Sequence, residues 1–448
     1  MNQMPSEEKP NQFAPYSINA SHAVVESQRC LGCHDAPCTQ ACPVHIDVPG
    51  FIRRIAQGNL EGSNQLLIER NPLAAVCGLI CPTADLCEGA CVLPQMGQRP
   101  IRIGALQYFV ANQFQFCDTL INNDRARRIA VIGSGPSSIG CAVVLRRHGH
   151  QVHIFERNSK LGGLVSTVIP SYRLLSGALI QELSRIEKYG IDYHFGVNVT
   201  PEFFEQLENQ FDAVFLGIGL SRLNPGTFPD SSQSGVRPAM DLLSDARLYA
   251  QGEIKKPGIG EMVVVIGGGN VALDAAIVAK KTGAERAIVL YRRSLEEMPA
   301  WRSEYLDATA QGVEFRWLSI VKQVVVENNQ VRAIEVQPMR RTQTLQGRRR
   351  GVEPDPSALT YMMPCDMVLL ALGQQLDKTW AEEAGISLTD QGSIDVDQTT
   401  HQTRRPGIFA GGEAVIGGAT AVHCIADGMA AGLSIHSWLT EKGNDLDG

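Results

Sequence analysis

Residues 128–157 read RIAVIGSGPSSIGCAVVLRRHGHQVHIFER, and their order decides the fold. Ile129–Ile132 is a short apolar run of the kind that forms a buried parallel strand. Gly133-Ser134-Gly135-Pro136-Ser137-Ser138 follows it, a G-x-G-x-x-S form of the dinucleotide fingerprint. The pattern predicts a helix over Cys141–His148 and a second strand over Gln151–Phe155, closed by Glu156. Gly133 permits the tight turn, and Gly135 lets a pyrophosphate approach the backbone at a helix N-terminus. Ser138 is small enough for the helix to pack close to the sheet. Glu156, 23 residues after Gly133, is placed to accept ribose hydroxyls.

A second strand, turn and helix begin at Met262: MVVVIGGGNVALDAAIVAKKTG. Here Gly267-Gly268-Gly269-Asn270-Val271-Ala272 forms the turn, and the next strand is predicted over Ala287–Leu290. That strand closes on Tyr291-Arg292-Arg293, with no acid. Guanidinium groups favour a ribose 2′-phosphate over a 2′-hydroxyl, which points to NADPH; the competing reading is an exposed basic turn with no ligand. Two dinucleotide turns, the second unit inserted inside the first, are the layout of flavin reductases that bind two dinucleotides. The predicted fold class is therefore α/β, with two nested Rossmann-like domains behind an α-helical N-terminal region.

The bulk numbers agree. A chain of 448 residues is too long for one core. A net charge of −7 argues against nucleic acid as a partner. No run approaches a membrane span, and MNQMPSEEKPNQ has neither an apolar core nor a cleavage pattern, so a cytoplasmic protein with reduced thiols is expected.

Along the chain, residues 1–20 read as an extended arm and 121–127 as a polar linker. Helical spacing occurs over Ser21–Arg29, Val48–Gln57, Gly62–Arg70 and Ile103–Phe116. Ser176–Tyr189 reads as a helix and Ala213–Ile218 as a strand. Residues 221–260 have the composition of a connecting segment, and 313–339 alternate as antiparallel strands do. Residues 340–353, with five arginines, read as a solvated hairpin tip. Met367–Leu372 and Gly407–Glu413 read as strands ending in glycine turns, before a last helix over Ala419–Leu439.

Eight of the 12 cysteines lie between Cys30 and Cys91. They form two groups, Cys30-x2-Cys33-x4-Cys38-x3-Cys42-Pro43 and Cys77-x3-Cys81-x5-Cys87-x3-Cys91. Four thiolates at short spacing can wrap an iron–sulfur cubane, and the terminal Cys-Pro after x3 matches the ferredoxin run, although x4 stands where ferredoxins have x2. Structural zinc is the rival, since four-cysteine zinc sites also use short spacings. Cys117, Cys141, Cys365 and Cys424 stand alone, and none makes the Cys-x-x-Cys pair of a dithiol reductase near the flavin turn.

With these motifs in view, the chain resembles the N-terminal, electron-input half of dihydropyrimidine dehydrogenase and the separate bacterial subunit that plays that part. More distantly it resembles the small subunit of NADPH-dependent glutamate synthase. The resemblance runs from about Cys30 to the C-terminal helix. It is carried by CLGCHDAPCTQACP, NPLAAVCGLICPTADLCEGACVL, PIRIGALQYF, GSGPSSIGCA, FLGIGL and FAGGE. The resemblance implies ligands that spacing does not. One [4Fe–4S] cluster would use Cys30, Cys33, Cys38 and Cys91. The other would use Cys42, Cys81, Cys87 and the side chain of Gln107, leaving Cys77 a non-ligand; counting alone makes Cys77 the eighth ligand. FAD is implied on Gly133–Ser138, Glu156, Gly162, Gly163, Leu164, Arg173, Gly412 and Glu413. NADPH is implied on Gly268, Gly269, Asn270, Val271, Arg292 and Arg293, with Ala371–Gly373 nearby. Glu413 departs from the family's usual Asp by one methylene.

The implied domains are 1–125 for the clusters, 126–222 and 366–448 for FAD, and 223–365 for NADPH. The implied activity passes electrons from NADPH through FAD and two clusters to a partner that carries an FMN-binding barrel and its own iron–sulfur clusters, for reduction of uracil or thymine. The 448 residues leave no room for that barrel, so a hetero-oligomer is expected. A glutamate synthase small subunit, a ferredoxin-linked NADPH oxidoreductase and a redox-sensing module are the alternatives. Hydride transfer needs no strong acid or base, so no catalytic side chain is named.

Overall fold

The computed structural model describes residues 18–114, 126–224, 226, 228–229, 233–346 and 349–444. The arm predicted over 1–20 and the linker over 121–127 lie mostly outside the described residues, as does Cys117. The chain divides into two compact units. One comprises 1–166, 172–221 and 376–448; the other comprises 167–171 and 222–375.

In the first unit helices Ala20–Gln28, Val48–Ala56, Leu60–Arg70, Ala74–Ile80 and Ile103–Ala111 come before any strand. Asn19, Asp47 and Asn59 stand at three N-caps, and their side-chain oxygens accept the N–H groups of His22, Gly50 and Gly62. Those bonds satisfy donors that a helix start leaves open, which is why the helices begin there. Ala74–Ile80 differs: every residue is buried and it has no capping side chain of its own.

A parallel sheet follows in the order Asp192–Phe195, Gln151–Glu156, Arg128–Ile132, Ala213–Leu216, Ile408–Ala410. This is the 3-2-1-4-5 order of a dinucleotide-binding fold. Helix Pro136–Arg147 begins directly at the turn, five residues before the predicted Cys141, because proline suits the first helical position. It packs against the last helix, Ala421–Asn444. The backbones approach so closely that a Cβ on Gly428 would lie 1.9 Å from the Ser137 carbonyl oxygen.

The second unit holds another parallel sheet, ordered Glu314–Arg316, Arg286–Leu290, Met262–Ile266, Met367–Leu370, Val236–Pro238. An antiparallel sheet of Ser319–Glu327, Gln330–Gln346, Arg349–Pro354 and Tyr361–Pro364 completes it. Its first hairpin turns at Asn328 and Asn329, both at positive φ (50° and 59°), the geometry that a two-residue hairpin turn favours.

Four expectations change. Residues 221–260 are not only a connection: they contain strand Val236–Pro238 and helix Ala239–Ala250, which buries Leu242 and Leu243. Met367–Leu370 belongs to the second unit's sheet, so the chain re-enters the first unit at Leu376 rather than 366. Glu314–Arg316 pairs in parallel with Arg286–Leu290, not as part of an antiparallel meander. In the arginine-rich stretch the described residues 340–346 and 349–353 are strand, while 347–348 at the predicted tip lie outside the described residues; Arg340 pairs with Glu353, and Arg341 reaches Glu296 and Glu297. Cross-strand and neighbouring carboxylates offset the charge of Arg340 and Arg341.

Candidate functional site

In the first unit the dinucleotide turn is built from backbone contacts. The Gly133 N–H donates to the Phe155 carbonyl at 2.8 Å, and Gly133 takes φ +93°. A Cβ there would lie 2.4 Å from the Gly217 carbonyl oxygen, so only glycine fits. Gly135 caps helix Pro136–Arg147, whose first N–H groups face outward, as at anion-binding helix starts. Ser138 is fully buried, and its hydroxyl lies 3.4 Å from the Gly217 carbonyl. The Ser134 hydroxyl is buried without a hydrogen-bond partner among the described residues, a polar group that a bound ligand could satisfy.

Gly162 and Gly163 fold onto this turn. The Gly162 N–H donates to the Ser134 carbonyl at 3.0 Å, and a Cβ on Gly163 would lie 2.8 Å from the Gly135 Cα. Gly412 closes the cluster against Ser137, with its N–H accepted by the Asp427 carboxylate. Glu156 ends its strand buried and accepts the Asn158 N–H at 2.7 Å. Glu413 accepts the Ala419 N–H at 3.2 Å, and burial raises the pKa of its carboxyl. Leu164 opens the short helix Leu164–Thr167, and Arg173 is half-buried beyond it.

In the second unit the Gly267 N–H donates to the Leu290 carbonyl at 3.1 Å, and a Cβ on Gly267 would lie 2.3 Å from the Ala371 carbonyl oxygen. This brings Ala371 and Gly373 beside the turn. The Tyr291 ring covers Gly268, Gly269 caps helix Asn270–Thr282, and Asn270 Oδ1 accepts the Trp301 N–H at 3.0 Å. Val271 is exposed. The two arginines diverge: Arg292 is exposed, whereas Arg293 is 7% exposed and its carbonyl accepts the Leu318 N–H. Only Arg292 therefore presents its side chain to solvent.

The eight N-terminal cysteines line two cavities. Cys30, Cys33, Cys38 and Cys91 ring the first, walled by Val48, Ile52 and Ile103. Cys42, Cys77, Cys81, Cys87 and Gln107 line the second, together with Asn71 and, from the last helix, Val422. Gln107 is 7% exposed, and its Nε2 donates to the Ala74 carbonyl at 2.7 Å. That bond anchors the amide by its nitrogen and leaves its oxygen as the end able to bind metal. Among the described residues every cysteine is free, and no group of His, Cys, Asp or Glu is set to hold a lone metal ion. Burial raises the thiol pKa of Cys30, Cys42 and Cys87, and that of Cys38 to about 11. The Cys81 thiol is raised first by its hydrogen bond with Cys77 and then by burial. Buried thiols of this kind ionise only against nearby positive charge, which iron supplies.

One connection lies outside every motif. Glu182 and Arg185, on helix Ser176–Glu187, form a buried ion pair at 2.7 Å. Glu182 also accepts the N–H groups of Ala75 (2.9 Å) and Val76 (2.6 Å), while Arg185 donates to the Pro72 carbonyl. A carboxylate more than 100 residues away thus caps the helix that carries Cys77. No spacing could have revealed it; a Glu-x-x-Arg on a helix reads as a surface pair.

Residues 8–118 match the family described as dihydropyrimidine dehydrogenase domain II, 4Fe-4S cluster, and residues 127–428 match pyridine nucleotide-disulphide oxidoreductase. The chain is 33% identical to the NAD-dependent dihydropyrimidine dehydrogenase subunit PreT of Escherichia coli K12, over 97% of this chain and 98% of that one. It is 30% identical to the glutamate synthase [NADPH] small chain of Halomonas elongata, over 97% and 95%. Among solved structures, the Mycobacterium tuberculosis oxidoreductase FprA aligns with a TM-score of 0.60 at 17% identity, covering 72% of this chain and 86% of that one; this shows a shared fold.

Proposed function

The chain belongs to the pyridine nucleotide-disulphide oxidoreductase family, as an NAD(P)H-dependent flavin and iron–sulfur oxidoreductase of the PreT and glutamate synthase small-chain type, and from that premise we propose that it delivers electrons from NADPH to a catalytic partner subunit for pyrimidine reduction. FAD takes up the two electrons of a hydride together and releases them singly, which is the chemistry that couples a nicotinamide to iron–sulfur carriers. In this reading Gly133–Ser138, Gly162, Gly163, Glu156 and Gly412 hold FAD. Cys30, Cys33, Cys38 and Cys91 hold one [4Fe–4S] cluster. Cys42, Cys81, Cys87 and Gln107 hold a second, and Cys77 serves as a hydrogen-bonding neighbour of Cys81. The single observation that supports this reading best is the sorting of all eight cysteines, with Gln107, around two separate cavities.

The partner in this reading carries an FMN-binding barrel. Among the described residues no helix is long and apolar enough to cross a membrane. Anaerobically purified protein is expected to hold two [4Fe–4S] clusters and about one FAD. It should reduce dyes with NADPH, and should oxidise NADPH in response to uracil only when the barrel subunit is added. Stoichiometric zinc in place of iron would refute the cluster assignment. Uracil-dependent oxidation by the isolated chain would show that the pyrimidine chemistry resides here.

The coenzyme preference is assigned chiefly to Arg292, because it is the exposed member of the pair. Arg292→Ala should reduce the ratio of kcat/KM for NADPH over NADH by about tenfold or more, from the loss of one charge-assisted contact worth roughly 1.5–3 kcal/mol. NADH turnover should change little. An unchanged ratio in stopped-flow assays of flavin reduction would show that the 2′-phosphate is read elsewhere.

A further inference from the structure

Asn71 is fully buried and lines the second cysteine cavity. Its two polar ends are treated differently. Oδ1 accepts the Leu73 N–H at 2.9 Å, a turn across Pro72 that fixes the side chain. Nδ2, with two N–H donors, has no hydrogen-bond partner among the described residues. Buried amide donors rarely go unused, so an acceptor is expected in the cavity that Asn71 faces. The other amide on that wall, Gln107, already engages its nitrogen with the Ala74 carbonyl. Besides the Gln107 oxygen and the Thr83 hydroxyl, the acceptors on the cavity lining are sulfurs: Cys42, Cys77, Cys81 and Cys87.

We propose that Asn71 is a positioning residue whose Nδ2–H donates to a sulfur of the second cluster, either a bridging sulfide or a ligand thiolate, and so sets that cluster's reduction potential upward. The inference rests on the reading that this cavity holds a [4Fe–4S] cluster. Reduction there adds one electron and no proton, so negative charge on the sulfurs grows. A fixed N–H dipole then stabilises the reduced form more than the oxidised form. Apolar walls from Ile46, Leu86 and Val422 keep water from competing for the donor.

The turn to Leu73 supplies a selective variant. Asn71→Asp keeps an oxygen for the Leu73 N–H, removes the donor and places a negative charge in its stead. In the full-length protein, with iron and sulfide contents matching two clusters, an EPR-monitored redox titration should show the second cluster about tenfold harder to reduce, equivalent to about 59 mV for a one-electron couple. The first cluster should not move. An unmoved potential with both clusters intact would overturn the proposal. Because the added charge alone would also lower the potential, the donor itself is tested in unsubstituted protein grown with asparagine labelled with 15N at Nδ2. Pulsed EPR should then detect a 15N coupling to the reduced second cluster, and its absence would overturn the proposal. Protein that contains no iron at all would refute the iron–sulfur reading itself.

Discussion

Glu182→Ala is expected to destabilise the protein by about 3–5 kcal/mol, the usual consequence of removing one partner from a buried, hydrogen-bonded ion pair. The variant leaves Arg185 charged at 3% side-chain exposure and removes the acceptor of the Ala75 and Val76 N–H groups. Adding Arg185→Leu should restore only part of the loss. It deletes the stranded charge, but the two amides stay unpaired, at about 1–3 kcal/mol each. Urea unfolding followed by circular dichroism, alongside cluster release followed by absorbance, would measure both effects. A loss below about 1 kcal/mol for Glu182→Ala would mean that the helix start finds other acceptors.

Cys87→Ser should remove one cluster, lowering iron and sulfide per FAD to about half, and with it electron delivery to the partner subunit. Dye reduction at the flavin should persist. Cys77→Ser should retain both clusters, because its thiol serves in this reading only as a hydrogen-bond partner of Cys81. The two residues line the same cavity, so position alone does not separate them. Equal cluster loss in the two variants would show that Cys77, not Gln107, completes the ring.

The parts of the molecule that could be read from the chain are those in which neighbours in sequence are neighbours in space. The turn at Gly133 and the turn at Gly267 each need their glycines for contacts made within one strand-turn-helix unit, so a short window exposes them. Helix starts at Asp47 and Asn59 were legible to within a residue or two for the same reason. Met367–Leu370 was recognisable as a buried strand, but four apolar residues do not say which of two parallel sheets they join. Helix Ala239–Ala250 was masked by the Pro, Gly and Ser around it. Arg293 reads like Arg292 in sequence, although the fold buries one and exposes the other. Glu182 and Asn71 lay beyond reach altogether: one caps a helix distant in sequence, and the other matters because half of its amide is left unanswered.

The last helix contributes more than a packed face. Val422 on its first turn walls the second cysteine cavity, and Gly428 lies against the Ser137 backbone at the dinucleotide turn. Six residues at an α-helical rise of 1.5 Å place these contacts about 9 Å apart. This stretch of helix acts as a ruler between the cavity wall and the dinucleotide turn. A ruler made of backbone hydrogen bonds does not stretch with side-chain motion. An inserted residue between Val422 and Gly428 would lengthen it by only about 1.5 Å, yet would swing one contact about 100° around the helix axis. The spacing can therefore be kept or lost, but not finely adjusted.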